Sequence, residues 1–221
     1  MPRALRLSGL SIAVLAAALS LPSATHAQSR PTPRFELTPF GGYQWGGSFD
    51  TDASLNISAG ELSEQSSFSW GTIASFTARP GSSVELLYLR QDTKVDFDPD
   101  REEKREVGDF ANNYILIGLR QDLNTPGALR PFFTTMLGMN VLDPDAGDAG
   151  TSTRFAWSLG GGARYMAANG RVGMRLDLRW LVTPVPSGDY GSWCSYWGCY
   201  AVEETAWLHQ GQVGAGIILA F

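Results

Sequence analysis

The chain has 221 residues, of which 43% are hydrophobic and 18% charged, with a formal net charge of −5. An acidic balance without a basic cluster argues against nucleic acid as a partner. Beyond the N-terminal segment, no stretch approaches the roughly 18 consecutive apolar residues of a membrane-spanning helix.

The first 27 residues have the layout of a secretory signal. Arg3 and Arg6 form a positive start, Leu7 to Leu21 a short apolar core, and Thr25-His26-Ala27 a small-residue cleavage site. The alternative is a retained helical anchor. Against it, the apolar core is shorter than the ~20 residues a span needs and is broken by Ser8, Gly9 and Ser11. The domain reading is a cleaved signal over 1–27 and a single domain over 28–221. The two lost arginines take the net charge from −5 to −7. Export makes disulfide bonding chemically available.

Eight segments then alternate apolar and polar residues. They run over 34–45, 66–78, 82–92, 109–121, 128–141, 153–166, 171–183 and 206–221. The joints at Arg79-Pro80-Gly81, Asp122–Gly127 and Ala167–Gly170 are tight. Those at 46–65, 93–108, 142–152 and 184–205 are long and rich in Gly, Asp, Ser and Glu. Joints that alternate short and long predict an all-β fold: an eight-stranded antiparallel up-and-down transmembrane β-barrel. A soluble sandwich has no reason to sort its loops by parity.

Period two assigns each strand's faces. In the first strand Phe35, Leu37, Pro39, Tyr43 and Trp45 point to lipid, opposite Glu36, Thr38 and Gln44. In the seventh, Val172, Met174, Leu176, Leu178 and Trp180 oppose Arg175, Asp177 and Arg179. The third strand is less clean, because Leu87 and Leu89 share the parity of Glu85; the fourth mixes Ile115 and Ile117 with Tyr114 and Leu116. With the N-terminus periplasmic, Tyr43, Trp45, Trp70, Tyr88, Trp157, Trp180 and Trp207 gather at the outer rim. Phe35, Phe76, Phe133, Tyr165 and Phe221 gather at the inner one. Two aromatic girdles match the two interfaces of a membrane barrel.

The same parity sends Glu36, Glu85, Arg120, Arg130, Arg154, Arg164, Arg175, Asp177 and Arg179 into the lumen. Eight strands leave a bore only wide enough for side chains. These charges are therefore expected to pair and plug it, with surplus arginines near the bore ends.

The segment Phe35-Glu36-Leu37-Thr38-Pro39-Phe40-Gly41-Gly42-Tyr43, followed by Gly46-Gly47-Ser48-Phe49, resembles the opening strand of small outer-membrane proteins of the OmpA-like barrel superfamily. Val84 to Tyr88, Arg130-Pro131-Phe132, Leu159 to Gly162 and Val213 to Phe221 resemble later strands of that barrel. The resemblance implies an eight-stranded barrel in a Gram-negative outer membrane, inserted by the outer-membrane assembly machinery, which would read Phe221 as a terminal signal. It implies contact with outer-membrane lipid and lipopolysaccharide but no single activity. The chain lacks room for the periplasmic domain of full OmpA proteins.

Three features bear on chemistry. Cys194 and Cys199 are the only cysteines; two so close in an exported chain predict one disulfide. The loop they close would display Trp193, Tyr196, Trp197 and Tyr200, either as a recognition patch for an extracellular ligand or as rings packed on the rim. No metal or cofactor is expected. Asp143, Asp145 and Asp148 are interrupted by Pro144 and lack the closing Glu of a calcium loop. Catalysis needs a nucleophile and a base. Among small outer-membrane barrels are lipid A deacylases and palmitoyltransferases, but the serine pattern of the deacylases is absent here. After the signal leaves, His209 is the single histidine, and it falls on lipid-facing parity. The expectation is a monomeric, non-enzymatic barrel with a structural or surface-interaction role; the alternatives are a narrow pore for small solutes and a lipid-modifying enzyme.

Overall fold

The computed structural model describes residues 34–51, 60–99, 105–123, 128–144, 151–185, 192–195, 198–201 and 206–221. They form twelve strands: β1 (Phe35–Gly46), β2 (Ser48–Thr51), β3 (Gly60–Glu64), β4 (Ser67–Arg79), β5 (Ser82–Pro99), β6 (Arg105–Asp122), β7 (Leu129–Pro144), β8 (Ser152–Met166), β9 (Val172–Val185), β10 (Ser192–Ser195), β11 (Gly198–Ala201) and β12 (Ala206–Ala220). Eight of them close a barrel in the order β5-β4-β1-β12-β9-β8-β7-β6, with β6 returning to β5. Every pairing is antiparallel. Closure removes the free sheet edges that would leave backbone groups unpaired in lipid.

The register is fixed by the exterior. Phe35, Phe76, Leu86, Ile117, Leu137, Met174, Leu178 and Ile217 all carry more than a third of their surface exposed. A one-residue slip would turn this apolar set into the bore. Between β8 and β9 the turn closes on Gly170, at φ 69°, whose amide donates to Ala167 O at 2.9 Å. Between β4 and β5 it closes on Gly81, at φ 80°. Both angles lie where only glycine is unstrained. We call this the turn end of the barrel; the opposite mouth is the loop end.

At the loop end the structure departs from the sequence reading. The long joints 46–65 and 184–205 contain strands: β2 and β3 in the first, the β10–β11 hairpin in the second. Much of the charged joint 93–108 is also strand, since β5 runs to Pro99 and β6 begins at Arg105. The physical reason is that a strand continues beyond the apolar belt wherever a neighbour takes its backbone hydrogen bonds. β3 does this for β5, pairing Glu64 with Val95 and Gly60 with Pro99, and β2 pairs β3 in turn. Beyond the belt both faces are wet, so the apolar alternation that marks a strand is lost.

Candidate functional site

The bore is filled in three layers. The layer nearest the turn end is ionic. Glu85, fully buried on β5, accepts from Arg175 through both guanidinium nitrogens, at 2.6 and 3.0 Å. It also accepts from Arg120 at 2.8 Å and from Ser75 Oγ at 3.0 Å. Arg120 Nη1 reaches Glu36 at 3.2 Å, and Glu36 accepts from Arg164 at 2.6 Å. Asp177 accepts from Arg175 Nε at 3.0 Å and from Arg179 Nη2 at 2.7 Å. Arg179 Nη1 continues to Gln212 Oε1 at 2.9 Å. Seven of the nine charges assigned to the lumen by parity thus meet in one network.

The other two lie apart. Arg130 has the inward parity but sits exposed at the turn-end mouth, because β7 begins only at Leu129 and its first residues meet water. Arg154 is half-buried near the loop end. Asp122, which the sequence reading left in a turn, supplies a missing anion: its carboxylate lies 3.0 Å from Arg120 Nε and 3.7 Å from Arg164 Nη1. Within the ionic layer four arginines therefore face four carboxylates. Fork geometry and charge make such pairs the strongest hydrogen bonds available to side chains.

Above the ions lies an apolar layer of Phe40, Ile73, Leu87, Leu89, Leu116, Met136, Ala156 and Leu181. Leu87 and Leu89, which disturb the alternation of β5, are its centre, and both are fully buried. Aromatic rings couple this layer to the ions. The Arg175 guanidinium carbon stands 4.5 Å from the Phe132 ring centroid, and that of Arg179 stands 5.2 Å from the Phe40 centroid.

The third layer, at the loop end, is an amide network around one carboxylate. Glu64, at the end of β3, folds into the mouth and accepts from Asn112 Nδ2 at 3.2 Å and from Gln210 Nε2. Gln210 Oε1 accepts from Gln44 at 2.9 Å and from the Tyr114 hydroxyl. Gly47 O accepts from the Glu64 amide at 2.7 Å, which fixes the entry of the segment. Glu64 lay outside every sequence-level assignment because it sits in a joint with no apolar periodicity.

Burial pushes the Glu64 carboxyl up from 4.5 to about 8, and the amide hydrogen bonds offset this only in part. An acid raised by folding contributes most below its unfolded value, and the contribution is lost as pH rises through its folded value. The hold of β3 on the barrel mouth should therefore weaken between about pH 4.5 and 8. Amide exchange of residues 60–66, corrected for intrinsic rates, should be faster at pH 9 than at pH 6. Glu64→Gln should abolish the difference; an unchanged pH dependence in that variant would refute the assignment.

The remaining candidates lie at the rims. Cys194 and Cys199 face each other in register on β10 and β11, beside the pair Trp193 and Tyr200. Tyr196 and Trp197 lie outside the described residues. His209 is exposed and stacks on Trp180, with ring centroids 5.5 Å apart and an angle of 20°. Trp180 meets Trp157 edge-on at 5.5 Å, and Trp70 meets Tyr88 at 6.0 Å. These rings form the loop-end girdle. At the turn end, Phe221 packs on Phe35 at 6.2 Å, and its amide donates to Phe35 O at 2.9 Å. Asp143 accepts from Thr151 at 3.2 Å; Asp145 and Asp148 lie outside the described residues.

An apolar belt between two aromatic girdles, wrapped around a packed polar bore, defines a small transmembrane β-barrel. No family model and no curated protein matches the chain. Solved structures do match in fold. Neisserial surface protein A aligns with a TM-score of 0.55 at 16% identity, over 85% of this chain and 97% of its own. The outer membrane protein OprG from Pseudomonas aeruginosa gives 0.58 at 12% identity, over 86% and 98%. The outer membrane protein AlkL, solved in lipid bilayers, gives 0.55 at 11% identity, over 91% and 97%. The fold is therefore that of the small eight-stranded outer-membrane barrels.

Proposed function

We propose that this chain is a non-conducting barrel of a Gram-negative outer membrane with a structural or surface-interaction role. The turn end is periplasmic, the loop end faces outward, and residues 1–27 are removed on export. The observation that supports this reading is a bore filled with buried side chains. An ionic layer, an apolar layer and an amide layer leave the outer rim as the surface through which the barrel meets other molecules. The similarity to a neisserial surface protein supports the same view. The partners of this reading are outer-membrane lipid with its lipopolysaccharide, and the assembly machinery during insertion. The barrel acts as a monomer.

The orientation of His209 towards the membrane, stacked on Trp180, supports a non-enzymatic role. Cys194 and Cys199 join in a disulfide that braces the outer hairpin. Directly opposed residues on antiparallel strands lie about 4.5–5.5 Å apart, within the span of that bond. Two reactive thiols in the unreduced protein would remove this brace.

Two measurements test the main reading. Tags near Gly147 or Gly191 should be reachable on intact cells, and one near Asn169 should not. The reverse pattern would invert the barrel. In a planar bilayer the protein should pass little current. Frequent stable openings would favour the pore instead.

A further inference from the structure

The amide layer at the loop end is built like a binding site, and its occupant comes from outside the barrel wall. Glu64 belongs to β3, which is not one of the eight closing strands. The groups that hold it are on the wall: Asn112 on β6 and Gln210 on β12. Both are at most 1% exposed against 9% for Glu64, which makes Glu64 the most exposed member of the layer. Gly47 closes over the carboxyl. A Cβ there would fall 3.0 Å from Glu64 Oε2 and 2.8 Å from Leu208 Cδ1, at a φ of 105°.

The cradle is held in place without Glu64. Asn112 Oδ1 accepts from Asn140 Nδ2 at 3.3 Å. Gln210 Oε1 accepts from Gln44 Nε2 at 2.9 Å and from the Tyr114 hydroxyl. Gln91 Oε1 accepts from Gln210 Nε2 at 3.3 Å and from Asn112 Nδ2 at 3.5 Å. Removing the carboxyl therefore leaves two donors still fixed in position, and a preorganised site costs a ligand less to bind.

The surrounding amides show what Glu64 does not supply. Gln44, Gln91 and Asn140 each bond the cradle through one end. Their other ends, Gln44 Oε1, Gln91 Nε2 and Asn140 Oδ1, are buried and unpaired among the described residues. Two acceptors and one donor are left over. A carboxylate only accepts, and a cation meets only acceptors, so neither serves both kinds; a hydroxyl donates and accepts. Charge points the same way. Glu36, Glu85 and Asp177 each hold an arginine, whereas both donors to Glu64 are neutral amides. Burial pushes its carboxyl up to about 8. Surroundings that disfavour the ionised form favour an uncharged occupant. The room is that of one side-chain end, because eight strands enclose little more.

We propose that the outer mouth binds the diol end of an uncharged carbohydrate, and that Glu64 is a built-in occupant which closes the site until a ligand displaces it. The inference rests on the surface-interaction reading with the loop end outward. One ligand hydroxyl takes the place of Glu64 Oε2 on Asn112 and Gln210, and its neighbour donates to one of the unpaired amide oxygens. Displacement needs only the Glu64 side chain to turn out, since β3 pairs with β5 through its backbone. Glu64 lowers the apparent affinity in proportion to the time it fills the cradle.

The test uses the refolded full chain in detergent micelles at about pH 6, with methyl α-glucoside as the probe. Binding is followed through the side-chain amide NMR signals of Asn112 and Gln210. Glu64→Ala should bind at least about tenfold tighter than the wild type, because its cradle is empty. Glu64→Gln should bind as weakly as the wild type, since a neutral occupant still fills the site. In the wild type itself, excess glycoside should release the Glu64 carboxyl into water and return its titration from about 8 towards 4.5, read from the carboxyl carbon signal. A purely structural role for Glu64 would leave that titration unmoved by the glycoside. Equal affinity in all three proteins, or amide shifts in Glu64→Ala that never saturate, would overturn the proposal; the latter means that water alone fills the space. Acetate or acetamide binding Glu64→Ala as tightly as the glycoside would also overturn it, by making the site one for carboxylates or amides. Heat-modifiable gel mobility of each variant reports whether the barrel stands, and the tags at Gly147 and Gly191 report its orientation. A failure of this site is thereby distinguishable from a failure of the reading beneath it.

Discussion

Glu85→Ala should be among the most destabilising single substitutions in the bore, at about 3–5 kcal/mol. Glu85 is fully buried and accepts from Arg175 through a fork and from Arg120. Truncation leaves two guanidinium groups facing an empty volume that water reaches poorly. Arg175 keeps Asp177, and Arg120 keeps Glu36, Asp122 and the Ser83 hydroxyl. The cost is that of buried positive charge in excess, four arginines against three carboxylates, and not the strength of one bond. The midpoint of the heat-modifiable band in a urea titration should fall accordingly. Glu85→Leu combined with Arg175→Met should recover much of the loss, since a buried pair replaced by apolar groups is often close to neutral. A midpoint unchanged by the single substitution, or a double variant no better than the single, would show that the network does not hold the barrel.

The same variant separates stability from conduction. If the charges lined an open path, removing Glu85 would alter its current. The apolar layer of Ile73, Leu87, Leu89 and Leu116 also lies across the bore. The current through Glu85→Ala should thus remain as low as in the wild type while its stability falls.

Where the chain crosses lipid, its sequence displays the fold directly. A strand with lipid on one face and a packed bore on the other must alternate, and β1, β4, β8 and β9 do so. Leu87 and Leu89 broke that pattern because a bore of eight strands is a small core, and part of it is apolar. Alternation reports inside against outside only when the inside is polar. Lumen-facing parity was legible for Glu36, Glu85, Arg120, Arg164, Arg175, Asp177 and Arg179, but their partners were not. Arg164 and Glu36 lie 128 residues apart, and only barrel closure brings them together. Asp122 was hidden by its position at a strand end, where turn and lumen residues look alike. Glu64 was hidden further, because β3 owes its strand geometry to β5 and not to its own residues.

Gly162→Ala tests the tightness of the bore at a single methyl group. Gly162 lies on β8 opposite Phe132 on one side and Asp177 on the other. A Cβ built there would fall 1.9 Å from Leu176 O and 2.7 Å from Phe132 Cζ. The carbonyl belongs to the β8–β9 ladder and cannot move without breaking register. Phe132 cannot move freely either, because Arg175 rests on its ring at 4.5 Å. The methyl therefore strains a ladder and displaces the ring that covers the most heavily bonded arginine. Overpacking of this kind costs about 1–3 kcal/mol, and more when backbone must shift; the backbone contact puts Gly162→Ala at the upper end. The adjacent Gly161→Ala makes the comparison. Its nearest contact would be Phe132 O at 3.2 Å, a distance that a small shift relieves. The urea midpoint should fall strongly for Gly162→Ala and little for Gly161→Ala. Equal effects would mean that β8 is loosely packed, and that the ionic layer beneath it is not held by Phe132.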